Sequence, residues 1–105
     1  MLSLRAAALS DIGRVRRENE DRCILDEKAR IFGVADGVGG LPGGGEAAQL
    51  TAEQLIALVA TLPGGVSPDL VGAVHRVNEA VIQLGRKMSP TMGIGTPLTF
   101  GCVWQ

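Results

Sequence analysis

The chain has 105 residues, 46% of them hydrophobic and 20% charged, with a formal net charge of -1. That length suits one domain at most, and the composition is globular rather than disordered. A near-neutral balance gives no field for nucleic acid or an anionic membrane, and two Phe and one Trp offer no stacking platform for single strands.

Residues 2–10 alternate Leu2, Leu4 and Ala6 against Ser3 and Arg5. They read as a first strand, although alanine favours helix. The opening apolar run is too short for a secretory leader, and no segment is long and apolar enough to span a bilayer. The cytoplasm is the expected location. Residues 11–21 form a densely charged loop leading into a second strand, 22–26. A polar turn follows at 26–29, with Glu27 and Lys28 at its tip, and then a short apolar strand, 31–35. These two strands are expected to pair as a hairpin. The third strand runs into Asp36 and a glycine-dominated loop reaching Gly45.

Helical spacing begins after that loop. Over 46–62, Ala48, Ala52, Leu55, Val59 and Leu62 make an apolar stripe, and Pro63-Gly64-Gly65 stops it. Ser67 reads as the N-cap of a second helix with Pro68 at its first position. Its stripe is Leu70, Val74, Val77, Val81 and Leu84, and the two helices are expected to pack antiparallel across one sheet face. His75, the single histidine, lies beside the stripe with Glu79 four residues on, and reads as a surface or boundary residue. Pro97 can begin an edge strand but not sit inside a central one, and residues 98–104 make a last strand. Cys23 and Cys102 have no zinc-finger spacing and read as buried free thiols on strands, with a disulfide as the alternative.

The chemistry concentrates around Asp36-Gly37. A carboxylate at a strand end, followed by a sharp backbone turn, can offer carboxylate and carbonyl oxygens to a hard divalent cation. The same dipeptide is also an ordinary turn. Other readings of the glycines fail. A P-loop needs Lys-Ser or Lys-Thr after its last glycine, but Glu46 follows Gly45. A dinucleotide fingerprint starting at Gly37 would need glycine where Pro42 stands.

Upstream, Gly13 is followed by arginines and then Asn19-Glu20-Asp21; downstream stands Ala35-Asp36-Gly37-Val38-Gly39-Gly40. This ordered pair of motifs resembles the opening of the metal-dependent Ser/Thr protein phosphatases, the type 2C (PPM) family, in its bacterial form. The resemblance implies an α+β fold: the N-terminal part of an α-β-β-α sandwich of antiparallel sheets flanked by paired helices. It also implies that residues 1–105 are one truncated domain. By the same resemblance Arg16 grips phosphate, Glu20, Asp36 and the Gly37 carbonyl bind metal, and Asp21 orients a coordinated group from behind. Arg17 is an alternative to Arg16.

The implied reaction uses two Mg2+ or Mn2+ ions, about 4 Å apart, to acidify a shared water that attacks phosphoserine or phosphothreonine. A phosphoprotein substrate and an opposing Ser/Thr kinase follow from it. The chain departs from the family near its end. Residues 91–100 resemble the family's Met-Gly-Thr-Thr segment but are interrupted at Pro97, and the later metal-binding aspartates have no counterpart. Three readings therefore stand: a phosphatase, a non-catalytic phosphatase-like binding or regulatory module, and a hydrolase of another phosphate ester. A sheet cut short would also leave edges open to self-association.

Overall fold

A computed structural model of the chain describes residues 3–37, 42–63 and 67–104. The order is β1 (Asp21–Asp26), β2 (Ile31–Asp36), α1 (Gly44–Ala60), α2 (Leu70–Met88) and β3 (Leu98–Cys102). The strands form one antiparallel sheet in the order β1-β2-β3, which with the two helices makes an α+β fold.

The hairpin closes through its own polar residues. The Ala29 N–H donates to the Asp26 carboxylate at 2.8 Å, and the Arg30 N–H to the Glu27 carbonyl at 3.2 Å. Arg30 takes the left-handed conformation, φ 58°, that returns the chain into β2. β3 then pairs with the far side of β2, so β2 is central and β1 and β3 are edges. Pro97 stands just outside β3, where its missing N–H costs the ladder nothing, and its carbonyl accepts the Asp36 N–H at 2.9 Å.

Alternation along β2 sets the two faces of the sheet. Ile31 and Ala35 are fully buried, whereas Phe32 and Val34 are 40% and 47% exposed. Register partners share a face, so Leu25 and Cys23 accompany Phe32 and Val34 on the open side. Ile24 lies on the covered side, where Leu98, Phe100 and Cys102 pack against the core. Cys23 and Cys102 thus occupy opposite faces on opposite edge strands; both are free thiols, as expected, but half-buried rather than buried, since an edge strand leaves one flank open to solvent. Burial pushes the Cys102 thiol up. Gly33 faces Phe100 so closely that a β-carbon there would lie 2.6 Å from the Phe100 Cα.

α1 covers β1 and β2 with Ala47, Ala48, Thr51, Ala52, Leu55 and Val59. The small residues let the helix lie close to the sheet. α2 packs principally on α1, through Ala73, Val77 and Val81, instead of lying beside it on the sheet. α1 buries a broad face, wide enough to meet the sheet and α2 together.

Local details differ from the sequence reading as well. Residues 3–10 form no regular structure. They are tied at two points, by the Ala6 N–H donating to Glu27 at 3.1 Å and the Asn19 amide donating to the Ser10 hydroxyl at 2.8 Å. An alanine-rich segment has little β preference of its own, and these side-chain ties do not make a ladder. The N-cap of α2 is Asp69, not Ser67, because the Asp69 carboxylate accepts the Gly72 N–H at 2.9 Å. The buried stripe of α2 is turned toward Ala73 and Gly85, leaving Val74 exposed. α1 begins at Gly44 and ends at Ala60, so Leu62 lies past its end and is exposed. The core of the glycine loop, 38–41, and the break at 64–66 lie outside the described residues.

Candidate functional site

Because β2 ends where β1 begins, the antiparallel register sets Asp21 opposite Asp36 at one end of the sheet. Their alternation places both on the open face with Val34 and Phe32, away from α1. The Asp36 carboxyl lies close enough to Asp21 to be the leading influence on it. That neighbour raises the Asp21 carboxyl above its ordinary range; burial and the charges of Asp36 and Glu20 add to the effect, while the Arg16 guanidinium opposes it. The exposed Arg16 is therefore within electrostatic reach of Asp21.

Glu20 stands at a junction of three segments. Its carbonyl accepts the Gly37 N–H at 3.2 Å. A β-carbon on Gly37 would come within 2.6 Å of both the Glu20 and the Gly44 carbonyl oxygens, so only glycine lets the chain pass there. The Cα and Cγ of Glu20 also lie within 4 Å of the point a Gly45 β-carbon would occupy. The charged loop, the end of β2 and the start of α1 meet here. One oxygen of Glu20 (Oε2) and one of Asp21 (Oδ1) are buried with no hydrogen-bond partner.

Asn19 shapes the entry to β1: its side-chain carbonyl accepts the Asp21 N–H at 3.1 Å while its amide holds Ser10. It was legible as part of a motif, but its role as a local turn-former was not read from the sequence. Arg14 and Arg17 are exposed beside Arg16, and His75 is exposed on α2. Among the described residues, no three His, Cys, Asp or Glu side chains gather in a way that could hold a metal ion. The donor set at this end of the sheet is nevertheless all oxygen and contains two orphaned carboxylate oxygens, the chemistry a hard divalent cation takes.

An α+β chain with this carboxylate junction is homologous to part of a Ser/Thr protein phosphatase of the PPM type. The relatives are the serine/threonine protein phosphatase PstP of Mycobacterium tuberculosis, strains CDC 1551 / Oshkosh and ATCC 25618 / H37Rv. Each is 39% identical over 99 residues, 93% of this chain but 19% of the relative. The chain therefore spans about a fifth of their length. No family model matches it, and no solved structure does.

Proposed function

We propose that this chain supplies the acidic, phosphate-facing end of a metal-dependent protein phosphatase acting on phosphoserine and phosphothreonine. The observation that carries the reading is the opposed Asp21–Asp36 pair, with Glu20 beside it and the Arg16 charge reaching it. Glu20, Asp36 and the Gly37 carbonyl are assigned to Mg2+ or Mn2+, with Asp21 orienting a coordinated group. A bound divalent cation would acidify a water and offset phosphoryl charge. Arg16 would hold the phosphate oxygens, its exposure leaving the guanidinium free to swing onto a substrate.

The second reading, a binding or regulatory module without turnover, is favoured by the absence of a three-ligand cluster among the described residues. Calorimetric titration with Mn2+ tests the assignment: heat is expected for the wild type and not for Asp36→Asn. Equal binding would remove Asp36 from the site. Turnover of p-nitrophenyl phosphate separates the two readings, since a module gives none. Self-association belongs to the same proposal, because β1 and β3 are edge strands and the open face exposes Phe32 and Val34.

A further inference from the structure

We infer that Arg22 is a positioning residue that holds the acidic segment in place from the opposite face of the sheet; the inference rests on reading Glu20 and Asp36 as cation ligands. Arg22 is the second residue of β1 and directly follows Asp21. Alternation sends its side chain to the covered side, toward α1, while Asp21 faces the open side. There its guanidinium uses one nitrogen, Nη1, on two backbone carbonyls, those of Asn19 at 2.6 Å and Asp21 at 2.9 Å. Its Nε donates to the Gln49 side-chain carbonyl on α1 at 3.1 Å.

Those two carbonyls bracket Glu20. The guanidinium thus clamps the backbone on either side of one assigned ligand and ties that backbone to a rigid helix. Gln49 is held in turn, because its amide donates to Glu53 one helical turn on, at 2.7 Å. The Glu20 carbonyl completes the path by accepting the Gly37 N–H, next to Asp36. The adjacent Glu20 and Asp21 carboxylates repel one another; fixing them requires bonds to the backbone that leave the carboxylates available. A planar, always-charged fork anchored to a helix meets that need, and a lysine does so only in part.

Charge alone makes the opposite forecast. Removing a positive group near a cation site should tighten Mn2+ binding by relieving repulsion. A positioning role means that removing it weakens binding, by about tenfold or more, as for groups that orient metal ligands from behind. Calorimetry with Mn2+ on Arg22→Gln, Arg22→Lys and Gln49→Ala reads this directly. Weaker binding in all three, with Lys the mildest of the Arg22 changes and unfolding still cooperative, supports the clamp. Unchanged or tighter binding in Arg22→Gln overturns it. Should the wild type bind no Mn2+, the ligand assignment fails, and amide hydrogen exchange then decides the clamp by itself. Faster exchange at the Asp21 and Gly37 amides, with Leu55 in α1 unchanged, supports it. Unchanged exchange at those two amides overturns it. Gln49→Ala keeps the guanidinium and its carbonyl bonds, and so remains informative if Arg22→Gln does not fold.

Discussion

Asp36 at the end of β2 stands opposite Asp21 at the start of β1, and its carboxyl raises that of Asp21 above the ordinary range. With burial and the Glu20 charge adding to it, that shift means the folded chain keeps a proton on Asp21 that the unfolded chain releases earlier. Stability from this group is fully present below the ordinary carboxylate range. It is lost as pH rises from there through the raised folded-state value. Asp21→Asn should flatten that fall and leave the variant more stable than wild type at neutral pH. Thermal unfolding across acidic to neutral pH checks it, and an unchanged slope would mean the Asp21 carboxyl is not raised in solution.

Gly37→Ala should destabilise the chain by about 2 kcal/mol or more, the order of an overpacked buried site. The new methyl would meet two backbone carbonyls, Glu20 and Gly44, neither of which can move like a side chain. The urea midpoint should fall with little change in slope. A shift under about 0.5 kcal/mol, the scale of a plain surface substitution, would show that the junction opens in solution.

Thr51 is 1% exposed in α1, and its hydroxyl has no partner. Thr51→Val replaces an unsatisfied polar atom with a methyl of similar shape. The change should be neutral or stabilising by up to about 1 kcal/mol. Thr51→Ser keeps the hydroxyl and removes the methyl, and should cost about 1 kcal/mol. The opposite ranking in thermal unfolding would reveal a partner for the hydroxyl.

At the start of α2, Asp69→Ala removes the side chain that accepts the Gly72 N–H and should cost about 1 kcal/mol. Ser67→Ala should stay within about 0.5 kcal/mol, as an exposed residue outside the cap. Denaturant unfolding of both variants separates the two candidate caps.

Much of the fold is legible locally. The hairpin, both helices and the closing strand follow from short-range patterns: alternation in β2, apolar spacing over α1, and a proline that admits only the entry to an edge strand. Residues 3–10 were misread because alternation over an alanine-rich stretch does not make a strand without a neighbour to complete its ladder. The cap of α2 was misplaced by two residues, since Ser67-Pro68-Asp69 offers two side chains able to cap and only the geometry selects one.

The residues of the candidate site could be named from the sequence, because Asn19-Glu20-Asp21 and Asp36-Gly37 resemble a phosphatase motif pair, and the chain as a whole is 39% identical to PstP over 99 residues. Which carboxylate meets Asp36 was not. A hairpin register shifted by one residue would exchange the faces of Glu20 and Asp21, and that register depends on how the turn at residues 27–30 closes. The tie from Arg22 to Gln49 joins positions 27 residues apart, on elements that meet only when α1 lies across the sheet. Sequence determined the local elements and the chemical groups available, because backbone preference and apolar period act over a few neighbours. Tertiary structure decided which of those groups face one another, because facing depends on register and packing between segments distant in the chain.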